Sequence, residues 1–478
     1  MVVHKKKAIG ITAGLILLAI FAVILVFLLN LQAYKPRIEA AASNALGMDV
    51  RIRGRVGIAL VPGLGITLKD IVVRKEGADV AAIEKTWIGL KLLPLLRREV
   101  RINGAKLIKP VFTIVQHRDE TINLEKPGLT LSGTPLAVEK ISVSGGRLEY
   151  TDEGSGKRIE AGGFDADIRN ISYGGTGGAG LLRSISFEGD IICKTLAVDK
   201  LTAANLVMGA SGAKGILDIR PVSMDIFGGT GKGSMHVDVT GASPQYRVIA
   251  ALSALRIEEV VGAASPGKFP PKSIEGAVNI SADLTATGKS TDEVLRSLSG
   301  DLSLNGKNLT LSSYDIDTLI TKYERSQNFN LVDVGAFFLA GAFGPVLTKS
   351  YNFGSLYEEM QGGKGIIRQF VSIWKIDHGM AEATDVALAS KKYRIAMKGG
   401  LNLISDRFVN VTVAVLDKRG CAVYSQKVHG PFGKPQIDKV SIVESIGGSL
   451  SNAAKDAWKL MSRECTVFYS GSVAQPEG

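Results

Sequence analysis

Apolar and polar residues alternate with a period of two along much of the chain. From Val50 to Leu60 every even position except Gly54 is apolar, and similar alternation returns at intervals as far as Val415. This period is typical of β-strands that bury one face. No helical pattern of about 10–15 residues separates the strand-like segments between residues 136 and 286, so antiparallel meanders are favoured over parallel βαβ units.

Three segments have helical patterns instead. Residues 36–46 have proline in the first turn and Gly47 as a stop signal, and Ile316, Leu319, Ile320 and Tyr323 share one helical face. Apolar residues at helical spacing also predict a final amphipathic helix over residues 442–461, interrupted by Gly447 and Gly448.

The uncharged run from Ala8 to Leu29 is long enough for a helix of roughly 33 Å, which spans a bilayer. No convincing cleavage site follows Leu29, so the pattern favours an uncleaved signal-anchor over a secretory signal. The lysines at 5–7 place the N-terminus in the cytoplasm by the positive-inside rule. We therefore expect a single-pass protein of the bacterial inner membrane with a periplasmic body.

Val334–Leu347 is apolar and uncharged but too short to span a membrane unaided. Gly335, Gly341, Gly344 and Pro345 would interrupt a continuous helix. We predict an interfacial or re-entrant segment that contacts membrane or gates lipid through Phe337, Phe338, Leu339 and Phe343. A buried hairpin or helix under the sheet is the equally weighted alternative.

Composition adds two points. The 55 glycines are scattered along the chain at short intervals, which indicates many turns and strands. The net charge of +11 permits attraction to anionic lipid or nucleic acid without choosing between them. Arg51, Arg53 and Arg55 share the face opposite the apolar positions and could touch phosphate headgroups, although such a run is more often a solvated strand face.

The chain contains three cysteines. If the body is exported, Cys421 and Cys465 are candidates for a disulfide that ties the end of the chain to the sheet, with a stabilisation of roughly 4 kcal/mol in the chain-entropy model. The competing interpretation is that these two and Cys193 are all buried free thiols.

Sequence motifs for catalysis are weak or missing. Gly175, Gly177 and Gly180 match GxGxxG, but a strand-like run follows where a helix is needed, and Gly288-Lys289-Ser290 lacks the glycine of a phosphate loop and is predicted to be a turn. The five histidines have no metal-ligand spacing, and no GxSxG elbow occurs. We expect no enzymatic activity, catalytic residue, metal or cofactor, although a site assembled from distant residues is not excluded by a motif search.

The chain resembles the AsmA family at both ends, over roughly half its length. The likeness is carried by the anchor and by residues 38–73, 91–115, 323–345, 374–390, 399–403 and 429–435. The resemblance implies an inner-membrane anchor and a largely β periplasmic body, similar to TamB-like and chorein-type bridge-like lipid transfer proteins, whose concave apolar sheet face carries acyl chains.

The expected fold is therefore mainly β: an N-terminal transmembrane helix, an elongated, curved antiparallel sheet with a groove, and a few amphipathic helices near the C-terminus. The expected regions are an anchor (1–34), a chorein-like N-terminal region (35–125), a central antiparallel region (126–310) and a C-terminal region with helices and closing strands (311–478). Candidate groove residues are Val50, Ile52, Ile66, Leu68, Leu90, Ile102, Phe112 and Ile114. A closed sandwich produces the same alternation, so a sealed core is the alternative.

The resemblance implies binding and transfer of phospholipid between membranes in support of outer-membrane lipid homeostasis. A scaffold or assembly factor for outer-membrane proteins is the main alternative, and an envelope-lipid enzyme with an unrecognised site is a third. The expected partners are phospholipids and the bilayer, with other envelope proteins or further copies of the chain as additional candidates, but not nucleic acid.

Overall fold

The computed structural model describes residues 31–59, 63–91, 102–119, 121–123, 136–173, 181–199, 201–264, 274–312, 315–326, 363–442 and 465–477. The chain divides into a first unit, Met1–Gly215, and a second unit, Ile216–Gly478. Both are mainly β, with few helices, as the alternation predicts. Among the described residues no helix is long and apolar enough to cross a bilayer.

Several predictions fall outside the described residues. These are the anchor at residues 8–29, the GxGxxG glycines, the segment Val334–Leu347 with Phe337, Phe338, Leu339 and Phe343, and the final helix beyond Ile442. Ile442 itself belongs to a two-residue strand rather than a helix.

In its described residues, the first unit contains a short 3₁₀ turn, two helices and nine strands. Their bounds are Leu31–Tyr34 for the turn, α1 Lys35–Leu46, β1 Asp49–Ile52, β2 Val56–Ala59, β3 Gly65–Lys75, β4 Ala78–Leu90, β5 Ile102–Gln116, β6 Leu136–Asp152, β7 Arg158–Tyr173, α2 Leu181–Ser184, β8 Ile185–Val198 and β9 Leu201–Ala213. Strands β1 and β2 both pair with β3, and each later strand pairs with the next as far as β9.

Two strand predictions need correction. The alternation at 49–60 does not form one strand, because the strand is interrupted around Gly54. An added Cβ at Gly54 would lie 2.7 Å from the carbonyl oxygen of Lys69. The sheet is also not purely antiparallel, because β5 and β6 run parallel. The connection between Gln116 and Leu136 exceeds the dozen or so residues that a parallel crossover needs.

A row of left-handed backbone positions crosses the strands of the first unit. Asp70, Lys109 and Asn205 have φ of 51°, 47° and 51°, and Gly145 and Gly163 have φ of 64° and 62°. The strand registers place these positions close to one line across the sheet. Each one shifts the alternation by a residue, as a β-bulge does, so the apolar positions before and after it remain on the same face.

Helix α1 seals the beginning of this sheet. Its residues Ile38 and Ala42 pack against a core cluster made of Val50, Ile52, Val56, Leu68, Ile71 and Val73. Gly47, with φ of 65°, ends the helix in the left-handed conformation. The backbone N–H groups of Val50 and Ile52 donate to Ser43 Oγ (2.9 Å) and Glu39 Oε1 (2.7 Å), which satisfies donors along this edge strand.

The described part of the second unit contains three helices and thirteen strands. Their bounds are β10 Ile216–Ile226, β11 Gly229–Asp238, β12 Gln245–Arg256, α3 Ile257–Ala264, β13 Ile274–Glu275, β14 Ala277–Thr287, α4 Thr291–Ser297, β15 Ser299–Leu311, α5 Ile316–Ser326, β16 Gly365–Asp377, β17 Met380–Ala389, β18 Arg394–Asn402, β19 Arg407–Leu416, β20 Ala422–Pro431, β21 Gln436–Ile437 and β22 Ser441–Ile442. All described pairings here are antiparallel.

The main core lies in this unit, from Leu255 in β12 to Phe432, with Trp374 fully buried at its centre. The predicted helix at residue 316 is confirmed as α5, and Ile316 and Ile320 enter the core. The Gly288-Lys289-Ser290 segment forms the bend between β14 and helix α4. Ser290 is its N-cap and accepts a hydrogen bond from the Glu293 N–H (3.2 Å).

Candidate functional site

Strands β5 to β9 present one continuous apolar face, which we call the open face. Directly paired residues point to the same side of a sheet, so the registers define its members. They are Ala105, Leu107, Phe112, Ile114, Ile141, Val143, Leu148, Tyr150, Ile159, Ala161, Phe164, Ala166, Ile168, Ile191, Cys193, Leu196, Val198, Leu201, Ala203, Leu206 and Met208.

Among the described residues, the open face has no opposing layer that forms a core. Most of its large side chains are only half-buried, and none of the three hydrophobic core clusters includes a residue from β5–β9. No member of the face is charged. A monomer seldom leaves an apolar surface of more than a few hundred Å² uncovered, so the open face is suited to an apolar ligand.

Packing within the face is close despite its openness. The ring of Phe164 lies over Gly146, where an added Cβ would come within 2.5 Å of it. The Phe187 ring lies over Gly212 in the same way, at 2.5 Å. These glycines leave the room that the aromatic rings need to pack against the neighbouring strand.

The opposite face of the same strands, the outer face, carries most of their charged residues, although Ile192 and Val207 are also exposed there. Lys140 Nζ lies 3.0 Å from Asp167 Oδ1, and Arg169 lies 2.7 Å from Asp190. A hydrogen bond from the Ser142 hydroxyl, together with Lys140, lowers the pKa of Asp167. Such exposed pairs contribute little stability each, but they show which side of the sheet faces water.

The structure separates the predicted groove residues into two groups. Val50, Ile52 and Leu68 lie in the sealed core under α1, with exposures of 5%, 2% and 5%, so they are core residues rather than groove residues. The prediction missed α1 as a lid because the period of two does not show what covers a strand.

The other five predicted groove residues lie outside the buried set. Ile66 is half-buried against the same core, and Leu90 is half-buried at the end of β4. Ile102, opposite Leu90, is 48% exposed. Phe112 and Ile114 are half-buried and belong to the open face.

Most residues of the open face are not among the groove residues predicted from the sequence. The alternation in β6–β9 is weak because the left-handed row shifts the period inside each strand. The sequence does carry a signal for these shifts of the period. They fall at Asn, Gly or charged residues between two short apolar alternations, and Asn and Gly adopt positive φ most readily.

In the second unit, strands β10–β12 repeat the open arrangement. Leu217, Ile219, Met224 and Met235 are half-buried on one face, and Val248 is 37% exposed. From the end of β12 onward, including β14, the same side is instead closed by the main core.

The far side of β16–β19 is covered by residues 465–477, which we call the C-terminal strap. Tyr469 and Val473 of the strap pack on Val371, Ala387, Ala396 and Leu416, among others. The structure joins Cys421 and Cys465, with Cα atoms 6.2 Å apart, and it leaves Cys193 as a buried free thiol on the open face.

Polar contacts hold the strap in place. The Tyr469 hydroxyl donates to Asp385 Oδ1 and accepts from the Val473 N–H at 3.0 Å. Burial and the Asp385 hydrogen bond raise the pKa of Tyr469 to about 12. Arg394 donates to the Val473 carbonyl at 3.2 Å and lies over the Tyr469 ring. The described part of the chain contains no group of three His, Cys, Asp or Glu side chains that could hold a metal ion.

Comparison with curated proteins and with solved structures found no significant match. A family model, that of the AsmA family, matches residues 1–180 and 185–344. The matched region includes the sealed N-terminal core, the open face and strands β10–β15. Because this match covers well over half of the chain, the protein belongs to the AsmA family.

Proposed function

We propose that this protein binds phospholipid through its acyl chains on the open face and transfers phospholipid between membranes. The observation that carries the proposal is the contrast within the molecule. Strands β16–β19 are covered by a hydrophobic core on each side. Strands β5–β9 instead leave a charge-free apolar face without a core cluster among the described residues. Family membership supports the same direction, because the AsmA family suggests envelope lipid transport or assembly.

The open face has a suitable size and chemistry. Five adjacent strands, spaced about 4.8 Å apart, make a surface roughly 20 Å across. The acyl region of one leaflet is about 15 Å deep, half of a hydrocarbon core of about 30 Å. Burying a chain against this face would remove apolar area from water on both partners, at about 25 cal/mol per Å². Headgroups would remain at the rim, in water.

The proposal includes a membrane anchor and a periplasmic body without enzymatic activity. Support comes from the apolar run at residues 8–29 and from the cysteine pair at 421 and 465, since disulfides persist in oxidising compartments such as the periplasm. A role as an assembly scaffold that acts by strand addition would need a free sheet edge, and β1 and β2 offer only four residues each.

Native mass spectrometry of the detergent-extracted full chain tests lipid binding. Ile191 lies on the open face and its neighbour Ile192, 52% exposed, lies on the outer face, so Ile191→Asp and Ile192→Asp are matched substitutions. We expect the parent and Ile192→Asp to carry phospholipid and Ile191→Asp to carry at least tenfold less, since the carboxylate would face the acyl chain.

The proposal fails if the parent carries no phospholipid, or if Ile191→Asp retains as much as Ile192→Asp. Hydrogen exchange on the same samples shows whether β8 remains folded in Ile191→Asp. Loss of lipid together with loss of β8 protection would indicate that Ile191 belongs to a sealed core, which contradicts the open face.

A further inference from the structure

Four cations lie together on the outer face of the first strands. Arg55 immediately precedes β2, and Lys69 and Lys85 follow it across β3 and β4: the Lys69 N–H donates to the Arg55 carbonyl at 3.3 Å, and Lys69 is directly opposite Lys85. Lys106 in β5 is opposite Trp87, two residues from Lys85. We call these four residues the cationic row.

The cationic row lies on the side of the sheet away from the sealed core. Its members Arg55, Lys69 and Lys85 are the immediate neighbours of Val56, Leu68 and Thr86, all three of which are buried. Successive residues of a strand point to opposite faces, so these cations point outward. They are therefore on the wrong side to hold the headgroup of a lipid whose chains lie on the apolar side.

Stability does not explain this arrangement. Like charges directly opposite each other in a sheet are destabilising. None of the four cations forms an ion pair with a residue that the structure describes. Of the nearby acids, Glu84 pairs with Lys109 at 2.9 Å, and Asp70 is exposed at the left-handed position beside Lys69.

The same sheet pairs its charges elsewhere. On β6–β8, Lys140 and Arg169 each have a carboxylate across the strand. The contrast indicates that the anions for the cationic row come from outside the chain.

The position of the row identifies a source of those anions. Gln32 Nε2 donates to the Val56 carbonyl at 3.0 Å, and Lys35 Nζ lies 3.4 Å from the Gly54 carbonyl. The chain is thus tied to the strand beside Arg55 only three residues after the apolar run that ends at Leu29. If that run spans a bilayer, the row must lie close to the bilayer surface.

Trp87 fits the same location. Its half-buried ring lies over Gly65 and Gly89, where added Cβ atoms would come within 2.5 Å, and its indole Nε1 is itself buried. Tryptophan is enriched at membrane interfaces, where the ring lies at the level of the headgroups.

We propose that the cationic row, with Trp87 beside it, docks the first strands on the headgroups of anionic phospholipid in the membrane that holds the anchor. The row then orients the sheet with its apolar face away from that surface. This inference rests on the anchor in the proposed function but not on lipid transfer.

The test uses the full chain in nanodiscs of phosphatidylcholine, with or without phosphatidylglycerol. A fluorophore on Thr67→Cys, which lies opposite Trp87, reports proximity through quenching by a headgroup spin-labelled lipid. Cys193 is buried and Cys421 is bridged to Cys465, so the new thiol is labelled selectively. The same label on Ser211→Cys, exposed in β9, is the positional control.

We expect phosphatidylglycerol to increase quenching at position 67 but not at 211, and high salt to abolish the increase. Lys69→Gln with Lys85→Gln should lower the ratio of docked to undocked protein about fivefold for each lost cation. Lys194→Gln with Lys232→Gln, two exposed cations in other strands, is the charge-matched control and should leave the ratio unchanged.

Two results would overturn the inference: equal quenching with and without phosphatidylglycerol, or equal quenching in the two double variants. A thermal melt separates docking from a structural role. Lys69→Gln with Lys85→Gln should melt at the same or a higher temperature than the parent, because a repulsion is removed. If Lys69→Gln with Lys85→Gln no longer docks but native mass spectra still show bound phospholipid, docking through the cationic row is separate from the proposed binding of phospholipid on the open face.

Discussion

Aspartate at Ile52 and at Ile102 should have opposite consequences, although both residues lie on apolar strand positions of the first unit. Ile52 is 2% exposed beneath α1, and Ile102 is 48% exposed at the start of β5. An aspartate at Ile52 loses about 2–3 kcal/mol of apolar burial and adds a buried unpaired charge that costs several kcal/mol more. The total approaches the whole stability of a typical domain, about 5–15 kcal/mol.

At Ile102 water already reaches the side chain, so the carboxylate stays hydrated. Only about half of the apolar burial is lost, which corresponds to roughly 1 kcal/mol. Hydrogen exchange of the full chain in detergent measures both variants in the same peptides, those of β1–β4. We expect protection in these strands to collapse in Ile52→Asp and to persist in Ile102→Asp. Persistent protection in Ile52→Asp would refute the assignment of a sealed core under α1.

Three further predictions concern titration and the strap. Because its folded pKa is raised to about 12, Tyr469 contributes stability that is complete below its unfolded pKa of about 10 and is lost as pH rises through 12, by about 2 kcal/mol. Ultraviolet titration of the parent against Tyr469→Phe should show one late-ionising tyrosine, and ionisation near 10 would contradict its burial. The pKa of Asp167 is lowered, so its contribution is present above the unfolded pKa of about 4 and is lost as pH falls through the folded value; Asp167→Asn should flatten this acid dependence by less than about 1 kcal/mol. Peptide mapping after thiol blocking without reductant should recover Cys421 and Cys465 as one linked pair, and alkylation of both would reject the bridge.

Local signals in the sequence predicted the elements well where the period was unbroken. The helix at residue 35 and its glycine stop, the amphipathic helix at residue 316, and strand β19 with its valines at 409, 411, 413 and 415 were all evident from spacing alone. Short helices were harder to detect. Helix α4 has only two turns and no buried residue, so it has no apolar period to detect and depends on its Ser290 cap.

The period of two could not predict whether the apolar face of a strand is covered, or in which order the strands pair. Alternation shows that one face is apolar but not whether a helix lies over it, so Ile52 and Phe112 looked alike in the sequence. The parallel pairing of β5 and β6 depends on the path of the connection, which no local pattern records. The left-handed row hid the open face by shifting the period at positions such as Asn205, a shift that is visible only when the registers of several strands are aligned.

Photo-crosslinking at two neighbouring residues of β6 tests the central claim most directly. Leu148 lies on the open face and Glu149 on the outer face of the same strand. A photoreactive amino acid at each position, irradiated in the full chain in native membranes, reports which face contacts acyl chains. The account predicts phospholipid adducts at position 148 and few or none at 149. Equal adducts at both positions, or none at 148, would contradict it.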